Sequence, residues 1–388
     1  MADHAILSAS GAHRWLACTP SARFELQFPK STSAYAEEGT LAHSVAELTT
    51  RFYLGEIDEN TYEDKLAELS KSSYFTDEML EHAESYAKFI MERLTEAKKV
   101  CADPVVILES RLDFSKYVPE GFGTGDCLII AEPVLDVIDY KYGKGHRVEA
   151  EGNPQMKLYG LGALAEYEPL YDIQTVRMTI FQPRLSGVCD SAELSVKELK
   201  SWGTKTVKPR AKLADKGEGE FAPSEETCRF CRARAQCKAR TDKNLALFDE
   251  SPDPLTITAE EAGAILAKAD DIEGWLKDLK ELVSKALTAG EEVTGWKMVE
   301  GRSNRRFTDE DQVVAAMKAA GYDEALLYER KLITLTKMEK DFGKKAIAEV
   351  LKDLIVKPQG APTLAPEKDK RPAYQFEEQV LAAFDEGA

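Results

Sequence analysis

The stretch GTGDCLIIAEPVLDVIDYKYGKG, residues 123–145, decides how the rest of the chain is read. Two short runs rich in β-branched residues, DCLIIA (126–131) and VLDVIDYK (134–141), flank an AEP corner short enough for a hairpin. Side chains alternate along a strand, so Leu135, Val137, Asp139 and Lys141 share one face. The apolar pair is predicted to pack under a helix while Asp139 and Lys141 reach the exposed end. Asp126 on the neighbouring strand brings a second carboxylate, and Cys127 beside it faces the opposite side, into the core. Hard oxygen ligands on adjacent strands suit Mg²⁺ or Mn²⁺, which keeps several waters and binds phosphate oxygens. A lysine two residues on can orient a water or steady developing charge. Alone, an Asp-x-Lys is a common strand end carrying mixed charges.

Working outward, VVILES (105–110) reads as a further strand, with Glu109 as an alternative acidic ligand. GNPQMKLYGLGALAEYEP (152–169) reads as a helix that Asn153 caps, Pro154 opens and Pro169 follows. IQTVRMTIFQPR (173–184) alternates, with Thr175, Arg177, Thr179 and Phe181 on one side and Val176, Met178 and Ile180 on the other. The first 100 or so residues read as largely helical, including a helix through GTLAHSVAELTTRFYLG that stops at Gly55 and another from Thr76 to about Lys99. The sum is a mixed α/β core. His43 and Glu47 are four apart on one helix face, as are Gln155 and Tyr159. His43 can add a neutral imidazole to a metal, with Glu47 beside it; Gln155 and Tyr159 can bind phosphate or orient the lysine.

A chain of 388 residues with 43% hydrophobic content implies two domains. Residues 1–243 are expected to form the first, 244–257 a linker, 258–357 an α-rich second domain and 358–388 a proline-rich tail. Thr258 and Glu261 make a capping-box pattern ahead of a long amphipathic helix ending near Gly290. No apolar run approaches the roughly 20 residues that span a bilayer, and the N-terminus has no secretory pattern. A cytoplasmic protein with no membrane partner is therefore expected. The net charge of −17 argues against generic coating of nucleic acid, but not against a basic groove.

In a reducing compartment, the seven cysteines point to metal ligation or buried thiols. Cys228, Cys231 and Cys237 lie in CRFCRARAQC, and Cys18 stands far upstream. Four thiolates suit Zn²⁺ or an iron–sulfur cluster; Cys101, Cys127 and Cys189 read as buried thiols. Around the three clustered cysteines, Arg229, Arg232, Arg234 and Lys238, with Arg240 and Lys243, follow Lys205, Lys208, Arg210 and Lys212. They form either a DNA-tracking groove or a solvated loop surface. The basic turn GRSNRRF (301–307) reads as surface.

GTLAHSVAE, GTGD, DYKYGKG and QMKLY resemble, in order and rough spacing, the motifs of RecB-like nucleases of the PD-(D/E)XK superfamily, over about residues 8 to 240. SASGAHRWLACTPSARFE (8–25) resembles a phage and prophage branch of that group. The resemblance implies a restriction-endonuclease-like mixed sheet flanked by helices. It implies His43, Asp126 and Asp139 as ligands of Mg²⁺ or Mn²⁺, Lys141 as the catalytic lysine, and Gln155 and Tyr159 as the accessory helix motif. It further implies that Cys18, Cys228, Cys231 and Cys237 hold a [4Fe–4S] cluster stapling both ends of the domain, with zinc as the alternative. The implied activity is metal-dependent exonuclease digestion of DNA, single- or double-stranded, from its ends, in phage or prophage recombination. A single-strand annealing protein or other recombination factor is the implied partner. Its alternatives are a non-catalytic DNA-binding accessory protein that keeps the fold and cluster, and a nuclease acting on RNA or branched DNA.

Overall fold

A computed structural model describes residues 5–29, 34–145, 147–185, 188–249 and 259–298, with shorter pieces at 310–320, 327, 335–343 and 349–351. The chain divides into two compact units, Met1–Val293 and Thr294–Ala388. In the first, five helices precede the sheet: α1 (Ala12–Ala17), α2 (Ser21–Phe24), α3 (Ala34–Tyr53), α4 (Glu59–Leu69) and α5 (Asp77–Ala97). Thr76 caps α5 by accepting from the Met79 N–H, and Gly55, just past α3, takes the left-handed conformation (φ 76°).

The sheet runs β1 (Val105–Asp113), β2 (Phe122–Ala131), β3 (Val134–Tyr140), β4 (Thr175–Gln182) and β5 (Val188–Ser195), in that spatial order. The first three strands are antiparallel, with Ala131 paired to Val134 across the expected hairpin. β3 and β4 are parallel, which requires a crossover. Helix α6 (Pro154–Tyr167) supplies it, capped by Asn153, whose side chain accepts from the Gln155 and Met156 N–H groups. β5 closes the edge antiparallel to β4. Among its described side chains, Ala192 and Leu194 lean on the core.

Each sheet face carries its own core. Leu128, Ile130, Leu135, Val137, Val176, Met178 and Ile180 pack under α6. Cys127, Ile129, Ile138, Tyr140 and Phe181 pack under α3 and α5. Asp136 is buried on the second face, where Arg93 of α5 lies 3.2 Å away and the Thr179 hydroxyl donates to it at 2.8 Å. That network ties α5 to the sheet.

The strand alternation slips once, at Glu109. Leu108 belongs to the core under α3 and α5, whereas Leu112, an even number of residues on, belongs to the core under α6. Glu109 between them has φ 51°, a left-handed conformation uncommon for a residue with a side chain. α6 passes β1 closely: a Cβ on Gly162 would stand 2.8 Å from Leu112 Cβ and 3.2 Å from its carbonyl carbon. Gly162→Ala is thus expected to cost about 1–3 kcal/mol in denaturant unfolding, despite alanine's better helix propensity. An unchanged or raised midpoint would show that α6 can shift outward.

After β5, helix α7 (Val196–Trp202), a π-helical turn (Gly203–Val207) and α8 (Lys208–Lys216) form one rod, followed by α9 (Glu225–Cys228) and α10 (Lys238–Asp249). α10 runs through residues 244–249, the first part of the stretch expected to be a linker. The long helix expected up to Gly290 is broken into α11 (Ala259–Leu266) and α12 (Ala269–Thr288), with Lys268 at φ −102°, ψ −6° between them. Both lie in the first unit, where Arg234 and Arg240 reach Asp278 of α12 at 2.8 and 2.5 Å. In the second unit the described residues include helices α13 (Glu310–Ala319) and α14 (Leu335–Phe342). Thr258, the 301–307 turn and the 358–388 tail lie outside the described residues.

Candidate active site

Where β2 and β3 part, their ladder ends at Cys127 and Ile138, and Asp126 takes over the next bond itself: its Oδ2 accepts from the Tyr140 N–H at 2.7 Å. Its other oxygen lies 3.2 Å from His43 Nδ1, which α3 brings across the face of β2. Burial works against charge on His43, yet the charge and hydrogen bond of Asp126 win and raise it to about 8. Burial likewise opposes ionisation of Asp126, and the His43 pairing outweighs it, holding Asp126 below the usual carboxylate range.

The slip at Glu109 brings a third carboxyl to this point. Among the described residues, His43, Glu109 and Asp126 form the group of ligand-type side chains whose ligand atoms all lie within 4.8 Å of one another. Burial, then the Asp126 and Glu47 carboxylates, push Glu109 up to about 7. One imidazole nitrogen and two carboxylate oxygens in this spacing fit a divalent cation. Glu47 is engaged by Arg51 at 2.9 Å on its own helix.

Asp139 and Lys141 stand beside this group. Asp139 is buried, only 2% exposed, and not at an open strand end as its position predicted. Gln155 of α6 and Lys141 both lie against it and shut it away from water. Burial, reinforced by Asp126, raises Asp139 in spite of Lys141. Lys141 Nζ is 2.9 Å from Asp139 Oδ2 and donates to Gln155 Oε1 at 3.1 Å. Burial disfavours its charge, but Asp139 more than compensates and raises it. Gln155 donates in turn to Asp139 Oδ1 (3.3 Å) and to the Tyr159 hydroxyl (3.2 Å). The Asn153–Pro154 start of α6 sets the height of Gln155, and Gly123 leaves room for Tyr159, whose Cε1 would lie 2.7 Å from a Cβ there.

The four upstream and downstream cysteines meet elsewhere. Cys18 at the end of α1, Cys228 ending α9, Cys231, and Cys237 leading into α10 line one cavity of about 20 Å³. Burial pushes Cys231 up to about 11 and raises Cys228. No three of their sulfurs come within 4.8 Å of one another. Of the three cysteines outside this set, Cys127 is buried, Cys101 half-buried and Cys189 exposed on the edge strand β5, not inside. The basic residues around the cavity are already committed. Arg229 pairs with Glu225, Arg232 with Glu25, Arg234 with Asp278 and Lys238 with Asp242. The Arg232 and Arg234 pairs knit the loop to the N-terminal segment and to α12.

The chain belongs to the DUF2800 family, described as proteins of unknown function, whose profile matches residues 4–372. Among solved structures it is similar to a proposed exonuclease from Eubacterium rectale, at 11% identity and a TM-score of 0.32, over 66% of this chain and 92% of that one. The protein SSO0001 overlaps at 15% identity and a TM-score of 0.21, over 50% of this chain and 85% of that one. Likenesses this loose carry no weight, and the chemistry has to come from the residues themselves. No described helix is long and apolar enough to cross a membrane.

Proposed function

We propose that this protein is a metal-dependent nuclease of the RecB-like PD-(D/E)XK kind that hydrolyses DNA from its ends. The observation that carries the reading is Gln155. One amide joins Asp139, Lys141 and Tyr159 beside a His43–Glu109–Asp126 group spaced for a divalent ion. A structural salt bridge needs no such convergence of five elements on one point.

His43, Glu109 and Asp126 would hold Mg²⁺ or Mn²⁺, with Asp139 next to them. The bound ion would polarise a phosphate oxygen and lower the pKa of a coordinated water. Lys141, kept charged by Asp139 and steered by Gln155, is placed to align a water and to offset charge on the phosphate. Tyr159 fixes Gln155 from the far side. The test is digestion of end-labelled linear DNA with Mg²⁺, Mn²⁺ or EDTA, beside Asp139→Asn. Metal-dependent shortening from an end, lost in the variant, supports the reading. Binding of DNA without digestion by intact protein would move it to an accessory DNA-binding role.

The protons on this site make a second test. An ion must displace the proton on Glu109 (raised to about 7) and the one that His43 (raised to about 8) shares with Asp126. Both protons have to leave, so metal affinity rises with pH, most steeply below about 7, and levels off above about 8. Calorimetry at pH 7 in buffers of differing ionisation heat should count one to two protons released per ion. Release of none would place the ion on other ligands.

We also propose that Cys18, Cys228, Cys231 and Cys237 hold a [4Fe–4S] cluster. What supports the reading is that the four line one cavity, three from a single loop and one from the end of α1, around one shared group. Its role would be to tie the N-terminal helices to the segment after the sheet.

A further inference from the structure

The rod of α7, the π turn and α8 carries charge that the fold does not use. Between Val196 and Lys216 stand seven basic and two acidic residues, in a chain of net charge −17. Lys200 pairs with Glu168, and Lys216 comes within 4.0 Å of Glu218. Lys205, Lys208, Arg210 and Lys212 are exposed, and among the described residues none of them meets an acid. The arginines around the cysteine cavity differ in just this respect, since each is neutralised by a carboxylate.

Lys208, Lys212 and Lys216 recur every fourth residue, with Lys205 one turn earlier, so they stack along one side of the rod. Val207, Ala211 and Ala214 face the other way, into the core under α6. Like charges at this spacing repel and destabilise a helix. A polyanion laid along the ridge would relieve that repulsion. The start of the rod lies beside α6, the helix that carries Gln155. Lys157, two residues along α6 from Gln155, lies 5.2 Å over the ring of Trp202, the last residue of α7. At Gly203 the rod lies close against the body, since a Cβ there would fall 2.8 Å from Tyr117 and 2.9 Å from Leu161. The Lys208 N–H bonds back to Gly203 O, the wide turn that lets the rod continue past this contact.

We infer that this lysine ridge, and not the arginine-rich loop at the cysteine cavity, is the track that holds the phosphodiester backbone of DNA leading from the active site. The inference rests on the nuclease reading. Its test compares wild type with Lys205→Ala/Lys208→Ala/Lys212→Ala and with the charge-preserving triple arginine variant. DNA binding is measured in an Asp139→Asn background, which prevents digestion, on duplex and on single-stranded probes over a range of salt. Hydrolysis of a small nitrophenyl phosphodiester by the enzymes without the Asp139 change reads the site alone.

The alanine triple is expected to lose DNA affinity on the order of tenfold or more at moderate salt. Its salt slope should flatten by about 2.7 for duplex or about 2.1 for single strands, whichever is the bound form. The arginine triple should bind as wild type does, and small-ester hydrolysis should be unchanged in all three. A wild-type slope and affinity in the alanine triple would overturn the track while leaving the nuclease reading standing. Lost binding in the alanine triple, with no hydrolysis of any phosphodiester by wild type, would keep the track and sink the nuclease. Lost binding in both triples would assign the effect to folding and overturn the track.

Discussion

Lys141→Ala is expected to lower metal-dependent DNA digestion on the order of 10³-fold, the scale for removing one preorganised charge donor from a closed site. The same change should also destabilise the metal-free protein, which the strand pattern alone did not imply. Asp139 is 3% exposed at its side chain and its ion-pair partner is Lys141, at 2.9 Å. Removing one half of a buried pair leaves a carboxylate that must stay charged without a partner or take up a proton. Because Lys141 is 26% exposed and Asp139 can protonate, the cost should be about 2–3 kcal/mol, below the 3–5 kcal/mol of a fully buried pair. The sign with pH follows from Asp139, whose folded pKa is already raised and rises further in the variant. An acid raised in the folded state penalises folding above its unfolded pKa, so the deficit is largest at alkaline pH. It shrinks as pH falls through the folded value. Saturating Mg²⁺ or Mn²⁺ should restore much of the stability and none of the activity, since a cation near Asp139 replaces the charge but not the aligned amine. Loss of stability that neither acid nor metal relieves would make Lys141 a packing residue.

Much of this site is legible in the chain because its members are fixed by short-range rules. Asn153 and Pro154 start α6, and four residues bring Tyr159 under Gln155. The AEP corner forces β2 and β3 into a hairpin, which sets Asp126 against Tyr140 and Asp139. Glu109 illustrates what periodicity cannot carry. Leu108 and Leu112 look like two residues on one strand face, and nothing local marks the change of face between them. The left-handed turn at Glu109 is imposed by the two cores on either side, and it lifts a secondary candidate into the group with His43 and Asp126. The basic loop fails to read as a groove for a related reason. Arg232 and Arg234 find Glu25 and Asp278 across long sequence separations, so their neutralisation leaves no trace in composition. The edge strand β5 is likewise set by what it packs on, its pairing with β4 and the contacts of Ala192 and Leu194.

Cys231→Ser carries the other large effect. In wild-type protein purified without oxygen, a brown colour with about four irons per chain is expected, and the variant should lose both. Burial raises Cys231 to about 11 and raises Cys228, so neither is an activated nucleophile, which would need a lowered pKa. Raised thiols suit a site that stays protonated until a metal pulls the protons away. The energetic consequence comes from topology. A group bound to Cys18 and to Cys228, Cys231 and Cys237 closes a loop that contains the entire sheet. By chain-entropy arguments, closure of so long a loop is worth about 5 kcal/mol. That is comparable with the whole stability of many domains. The variant should therefore melt far below wild type. It should also lose nuclease activity on heating before it loses activity at low temperature, because the cavity is separate from Lys141 and Gln155. If the cavity were only a cysteine-lined piece of core, serine would cost about 1–3 kcal/mol for a poorly satisfied hydroxyl, and the wild type would be colourless. Stoichiometric zinc in colourless wild type would keep the staple and replace its metal. Free thiols in all four positions, with a small melting change, would remove the staple altogether.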